Sequence, residues 1–271
     1  MDVIECDACG GTVVYDAERA SVRCVFCGSE TLRIADVEGT AGVPASAAER
    51  TVSLEDARAS FKTWATTSWW TPRAFRQAAA QVAPLWIPAW RMSAEVEATW
   101  TGLRDANTKS GRRPLAGADV ARRTVWLPAS LGLSQRELDA LAPFHADPVG
   151  PWNVDNTDAP FEVAGLTQDA ALSRARKNFR SDARADIIRQ QRVRDCRVSV
   201  VLEDVAAEAF MLPVYVGCVR FRDRPWRFVV NGQNGRVTGS TPVDRRKVAA
   251  AIALVATAVL AWWWLADAAS Q

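Results

Sequence analysis

Residues 245–266 constrain this chain more than any other stretch. Arg245-Arg246-Lys247 leads into an apolar run from Val248 to Ala266, in which Thr257 is the sole polar side chain. As a helix rising ~1.5 Å per residue the run reaches ~28 Å, close to the ~30 Å hydrocarbon core of a bilayer. Its Val, Leu and Ile residues each contribute roughly −0.3 to −0.6 kcal/mol toward insertion, and no charge opposes them. Trp262, Trp263 and Trp264 stand near the far end, where indole rings favour the headgroup level. A buried core helix is the competing reading, but Ala and Val continue all round the run and leave no amphipathic face. The run is expected to be a single transmembrane helix. By the positive-inside rule the basic triplet orients it, with the N-terminal bulk in the cytoplasm and Asp267–Gln271 outside the cell (inner) membrane.

The residues ahead of the anchor suffice for a small module plus one substantial domain. Apolar residues make up 49% of the sequence, so a packed core is feasible, while a net charge of +2 does not by itself argue for a polyanionic partner. The start, MDVIECDACG, lacks the apolar segment of a signal peptide. The expectation is therefore a reducing compartment, where cysteines serve as metal ligands more often than as disulfides.

Cys6, Cys9, Cys24 and Cys27 form a CxxC-x14-CxxC pattern, with Gly10 and Gly28 directly after the pairs. Four thiolates at that spacing describe a structural, tetrahedral Zn(2+) site. A site closed by four cysteines keeps no open position for catalysis. Thr12–Tyr15 and Ala20–Arg23 read as short strands around a turn at Asp16–Arg19. The pattern is that of a zinc ribbon over residues 1–36. That stretch carries Asp2, Glu5, Asp7, Asp16, Glu18, Glu30 and Asp36 against Arg19, Arg23 and Arg33, and four thiolates on one zinc ion add further negative charge. Phosphate binding needs the opposite sign, so a protein partner suits the module and nucleic acid does not.

Val37–Arg50 is small, polar and broken by Gly and Pro, and reads as a flexible linker. Residues 51–244 read as an α+β, β-rich cytoplasmic domain with several helices, and 245–271 as basic flank, transmembrane helix and short tail. Ser53 reads as the cap of a helix carrying Leu54, Ala57, Phe61 and Trp64. Thr71-Pro72 opens another helix containing Phe75, with Trp69 and Trp70 between the two as core. From Trp90 to Trp100 apolar and polar residues alternate strictly, predicting a strand with one buried and one wet face. Pro84 and Pro88 fence a shorter Leu85–Ile87 segment ahead of it. Arg104–Ala118 reads as a loop and Val120–Leu127 as a second strand. Ser134–Glu137 is a capping box opening a helix with Leu138 and Leu141. His145, the lone histidine, has no evident acid or nucleophile beside it and reads as filler.

Thr167 opens a long helix to about Gln191, with Leu172, Ala175, Phe179, Ala183 and Ile187 on one face. Its other faces are basic, so Arg174, Lys177, Arg180 and Arg184 are candidates for contact with anionic lipid, against the alternative of a plain solvated surface. Beyond it Val198–Leu202, Phe210–Phe221 and Trp226–Val230 read as strands, and Asn231–Gly235 as a turn into Arg236–Thr238. Leu85–Trp90 and Met211–Tyr215 echo each other, a proline and an aromatic at the entry to each long strand, as two related sheets or two halves of one. Cys196 and Cys218 read as core thiols.

The N-terminal CxxC pairs, FKTWATTSWWTPRAF, PLWIPAW, LPVYVG with FVVNGQNGRVTGSTP, and a basic-flanked terminal anchor occur in that order. In this the chain resembles the bacterial membrane proteins labelled TFIIB-type zinc ribbon-containing proteins, some of which carry a primosomal or helicase-like label. The resemblance implies the four cysteines as ligands, no catalytic residue, and an adaptor role near membrane-stress systems. The helicase label has no support here, because no GxxxxGK[ST] phosphate loop is present. The anchor is shorter than in some members of that family.

Three functions follow for testing. The first is a non-enzymatic, membrane-tethered adaptor whose ribbon recruits a cytoplasmic or membrane-associated protein. The second is nucleic-acid binding through the ribbon or the basic helix. The third is a ligand-binding β-rich domain lined by Trp86, Trp90, Trp100, Trp126 and Trp226.

Overall fold

The fold is seen in a computed structural model of the chain, which describes residues 2–7, 12–15, 24, 29–34, 44, 46–105, 111–146, 148–152, 159–222 and 224–269. Its elements run β1 (Asp2–Cys6), β2 (Thr12–Tyr15), β3 (Leu32–Ile34), β4 (Ser46–Ala48), α1 (Leu54–Thr67), α2 (Arg73–Arg76), β5 (Gln81–Asp105), β6 (Arg112–Pro128), α3 (Gln135–Leu141), β7 (Pro148–Pro151), β8 (Phe161–Glu162), α4 (Gln168–Gln191), β9 (Arg194–Phe221), β10 (Arg224–Asn231), β11 (Val237–Gly239) and α5 (Arg245–Ala269). The architecture is α+β. Among the described residues all the strands join one sheet, ordered β11-β10-β9-β5-β8-β2-β1-β3, with β6 beside β5 and β4 bridging β7 and β9. Pairing is antiparallel except for β4 with β9 and β5 with β8.

Two very long strands, β5 of 25 residues and β9 of 28, carry the sheet. At ~3.3 Å per residue β5 alone spans on the order of 80 Å. The alternation read from Trp90 to Trp100 is present: Met92, Ala94, Val96, Ala98 and Trp100 are buried. Before residue 90 the pattern changes, and Leu85 to Ala89 are buried on both faces.

Pro84 and Pro88 do not fence a separate segment; both lie inside β5. Trp86 donates its N–H to the Pro160 carbonyl at 3.0 Å, on the side away from β9. Pro84 and Pro88 share its parity and turn their nitrogens the same way. On that side β6 ends with Pro128 opposite Ala89, so a missing N–H costs the ladder nothing. The expected loop Arg104–Ala118 is also mostly strand, since Arg104 pairs with Arg113 and Asp105 with Arg112. The segments Val198–Leu202 and Phe210–Phe221 are parts of the single strand β9. The interruption between them is a bulge: Ser93 pairs with Ala206 but Glu95 with Glu203, and Asp204 takes φ 45°. A second bulge lies where Thr101 pairs with Arg197 and Leu103 with Arg194, with Asp195 at φ 51°. In both, an aspartate occupies the left-handed region that its short polar side chain tolerates.

The two echoing segments pair with one another, Leu85 opposite Val214, Trp86 opposite Pro213 and Ile87 opposite Leu212. They are two halves of one sheet.

One sheet face is covered along most of its length. α1 and α2 pack Phe61, Ala65 and Phe75 on Tyr215, Val219 and Phe228. Next come Ala47, Phe161 and Val163 against Trp86 and Met211. α4 then lays Ala171, Ala175 and Phe179 on Met92, Ala94 and Val96, and Ala183 and Ile187 on Ala98 and Trp100. The opposite face is covered only near the start of β5, where Leu85, Ile87, Leu212 and Val214 meet Leu138 and Leu141 of α3 and also Cys6 and Cys24.

Local signals place the helices as read. Ser53 Oγ accepts the Asp56 N–H at the start of α1, and Ser134 and Glu137 form the reciprocal capping box of α3. Pro72 sits at the cap of α2 rather than in its first turn. The Asn231–Gly235 turn takes positive φ only at Gly235. Its asparagines act through their amides instead: Asn231 Nδ2 donates to the Leu141 carbonyl at 2.9 Å and Asn234 Nδ2 to that of Pro143 at 2.8 Å, pinning the turn to the end of α3.

The end of the expected linker is not a tether. Ser46 and Ala47 pair with Phe210 and Met211, and Ala47 and Ala48 are buried. Tyr215 OH donates to the Val52 carbonyl at 2.6 Å, and the Arg50 guanidinium lies 4.5 Å over the Trp86 ring. Small residues suit the linker composition and equally suit a strand squeezed between neighbours. Residues 37–43 and 45 of that expectation lie outside the described residues.

Candidate functional site

Two features carry chemistry, the C-terminal helix and the N-terminal cysteines. Asp244 starts α5, its carboxylate accepting the Arg246 N–H at 3.0 Å and its carbonyl the Val248 N–H at 3.1 Å. Arg245–Trp263 is long and apolar enough to cross a membrane, and none of it is buried against the rest of the protein. Ile252, Leu254, Val255, Val259, Leu260, Trp262 and Trp263 are all exposed. Thr257 gives its hydroxyl proton to the Leu254 carbonyl at 2.9 Å, so the one polar side chain of the run is satisfied within the helix.

The base of α5 meets a pair of residues expected in the core. Trp69 is 62% exposed and Trp70 40%. Lys247 Nζ donates to the Trp69 carbonyl at 2.6 Å and lies 4.8 Å over its ring. Asp244 donates its N–H to the Trp70 carbonyl at 2.8 Å. The buried aromatic of α2 is instead Phe75, which packs edge-on against Phe221 at 5.7 Å and Trp226 at 6.2 Å.

The basic residues of α4 lie elsewhere. Arg176, Lys177 and Arg180 line an open groove of about 320 Å³ with Ser173 and residues 198–200. Arg174 is exposed beside them, but Arg184 is tied down, its Nε donating to the Cys196 carbonyl at 2.9 Å. Val200 pairs with Ala98, whereas the base of α5 lies at the Gln81 end of β5. From Gln81 to Ala98 the contour is roughly 55 Å at ~3.3 Å per residue. The candidate lipid contacts are thus far along the strands from α5.

Arg123 on β6 links to the other side of α4. Its NH1 donates to Asp186 Oδ2 at 2.6 Å, with only 14% of the Arg123 side chain exposed. That hydrogen bond holds the Asp186 carboxyl below the usual carboxylate range. Burial pushes the neighbouring Asp182 carboxyl up, against the pull of Arg123.

Of the four cysteines, Cys9 and Cys27 lie outside the described residues, as do the expected turn Asp16–Arg19 and strand Ala20–Arg23. Cys6 and Cys24 are both buried in the same apolar cluster. One short segment joins them: Cys24 donates its N–H to the Ser29 carbonyl at 2.8 Å, Asp7 donates to the Thr31 carbonyl at 3.1 Å, and Leu32 pairs with Cys6. Among the described residues no group of three or more His, Cys, Asp or Glu comes together to hold a metal. The cysteine region is not a free appendage. β2 pairs with β8, Val13 opposite Glu162 and Val14 opposite Phe161, and so continues the main sheet.

The five tryptophans offered as a pocket lining do not converge. Trp86, Trp90, Trp100, Trp126 and Trp226 pack in five separate clusters. Trp90 donates its indole N–H to the Leu166 carbonyl at 2.9 Å, and Trp100 lies over Gly117, where a Cβ would come within 2.8 Å of the ring. They are structural. His145 is exposed and engaged through its backbone, its N–H going to Gln233 Oε1 at 3.0 Å. Burial raises the Cys196 thiol above its ordinary range, in keeping with a core thiol, while Cys218 is only half-buried.

Comparison with protein-family models, with curated proteins and with solved structures finds no match to this chain.

Proposed function

We propose that this chain is a non-enzymatic adaptor held in the inner membrane by Val248–Ala266, with its body in the cytoplasm and Asp267–Gln271 outside, and that its cysteine module recruits a protein partner. The observation that carries the reading is α5. An apolar helix whose span is nowhere buried by the protein is stable only if something else covers it, and its length matches a bilayer. Orientation rests on Arg245, Arg246 and Lys247 at its start.

Zinc held by Cys6, Cys9, Cys24 and Cys27 belongs to the same proposal. The two described cysteines fit it, being buried together and flanking one backbone segment. Bound there, the ion would supply a structural cross-link and no open coordination position. The β2–β8 pairing supports a recruiting surface rigidly joined to the body rather than one swinging on a linker. The resemblance to TFIIB-type zinc ribbon-containing membrane proteins agrees with this reading.

The test has two arms. The chain is expected to resist carbonate extraction from cell membranes, with its N-terminal thiols shielded from impermeant labels in intact cells; release by carbonate or labelling from outside overturns the anchor or its orientation. Affinity purification from solubilised membranes is then compared with a chain whose four ribbon cysteines are serine. A protein recovered by both chains in equal yield, or by neither, removes the recruiting role.

A further inference from the structure

The tryptophans of this protein divide into two kinds. Outside α5, those described are buried or half-buried, apart from Trp69 and Trp70. The exposed pair lies in the turn between α1 and α2, held edge-to-face with ring centroids 5.1 Å apart. The turn is stiff. Thr71 donates its N–H to the Ser68 carbonyl at 3.1 Å, and the Arg76 guanidinium reaches the carbonyls of Ser68, Trp69 and Thr71 at 2.8–3.4 Å. A protein that ordered two large indoles only to leave them in water would forgo the burial that makes indoles worth keeping.

We infer that the Trp69–Trp70 turn is a second membrane contact, seated in the headgroup layer of the leaflet that α5 enters, where it sets the angle of the body to the bilayer. This rests on the reading of α5 as a transmembrane helix.

The argument is one of depth. Trp70 is bonded to Asp244 and Trp69 to Lys247, while the apolar run begins at Val248. Asp244 and Val248 are about 6 Å apart along a helix axis at ~1.5 Å per residue. The polar interface on each side of a bilayer is about as thick as that separation. Both rings are therefore level with the interface once Val248 enters the hydrocarbon. Indoles concentrate at that depth because they offer an apolar body and one N–H donor. The surroundings match. Val243 is exposed beside the pair, and exposed Arg73, Arg245 and Arg246 supply positive charge facing an anionic leaflet. Lys247, stacked on the Trp69 ring, couples the turn to the helix itself. The bilayer is preferred to a protein partner as occupant because the patch is continuous with the helix that enters it.

Full-length chain is reconstituted into phosphatidylcholine–phosphatidylglycerol vesicles, with and without bromine on the upper acyl carbons, and indole emission is recorded. The emission that W69F/W70F removes is expected to be lost in brominated vesicles, as is the emission removed by W262F/W263F. Both rings replaced in W69F/W70F are exposed, so its melting midpoint should match wild type, and single W69F and W70F chains give the same difference should the double variant misfold. If the W262F/W263F emission is quenched and the W69F/W70F emission is not, α5 is inserted but the turn stays in water or on a protein, and the inference is overturned alone. If neither is quenched and carbonate strips the chain from the vesicles, the anchor reading falls and takes this one with it.

Discussion

The halves of β5 and β9 nearest to and farthest from α5 are built from the same two strands, yet they are stabilised differently. In the near half Leu85, Ile87, Leu212 and Val214 face α3 and the cysteines, while Tyr215 and Val219 face α1 and α2, so both sides of the sheet are dry. In the far half α4 covers Met92 through Trp100 and the opposite side carries Glu95, Glu97, Thr99 and Thr101. Both halves place an aromatic ring over the glycine directly across the ladder, Phe228 over Gly217 and Trp100 over Gly117. In the near half that ring is itself stacked on Phe61 at 4.0 Å, whereas Trp100 packs among the smaller side chains of Ala183, Ile187 and Val193. One device thus serves under α1 and α2 and again under α4. A sheet of this length has its stability concentrated where the second layer is.

The contrast is most easily broken at Phe61. Phe61→Ala removes the ring that closes the near half, and a loss of about 3–5 kcal/mol is expected in thermal or urea unfolding of the detergent-solubilised chain. A loss like that of a surface substitution would show that the near half is not closed. The paired glycines sharpen the point. Gly217→Ala and Gly117→Ala both overpack, at about 1–3 kcal/mol, with Gly217 the costlier because its Cβ would come within 2.1 Å of a ring that Phe61 blocks. Equal costs would erase the distinction between the halves.

Smaller again is Asp186→Asn, expected to cost about 1 kcal/mol, between an exposed ion pair and a buried one. Because the Asp186 carboxyl is held low by the Arg123 hydrogen bond, its contribution is complete above the ordinary carboxylate range and is lost as pH falls through the depressed value. Asp182 has the opposite sign: its raised carboxyl favours folding more as the pH drops. Hydrogen exchange of α4 between pH 3 and pH 5, roughly around the ordinary carboxylate value, should show protection falling more toward acid in the wild type than in Asp186→Asn. Last comes Val201→Thr on the open side of the far half. Val201 is exposed opposite Glu97, and a change within about 0.5 kcal/mol in the same unfolding assay is expected.

What could be read without the structure was whatever depends on near neighbours in the chain. The Ser53 and Ser134 caps, the α4 stripe from Ala175 to Ile187 and the alternation after Trp90 are periodic or local, and each is present. What escaped depends on a partner far away in sequence. Residues 203–209 look like a break until β5 is set beside them and Asp204 becomes the extra residue of a bulge. Ser46–Ala48 has the composition of a linker because small residues fit between β7 and β9. Trp69 and Trp70 look like core by residue type, and only their contacts with Asp244 and Lys247 explain their exposure. The long apolar helix could be read from its own residues, since its length and composition depend on no distant partner. The cysteine spacing was equally plain; of the four, the described Cys6 and Cys24 are buried in one cluster.

The length of β5 makes the body a lever. With a contour of on the order of 80 Å at ~3.3 Å per residue, a tilt of about 3–5° at the Gln81 end swings the Asp105–Arg112 end by roughly 4–7 Å. Under the proposed anchoring, small rotations at α5 are thereby converted into larger movements of the far end, without any strand changing its neighbours.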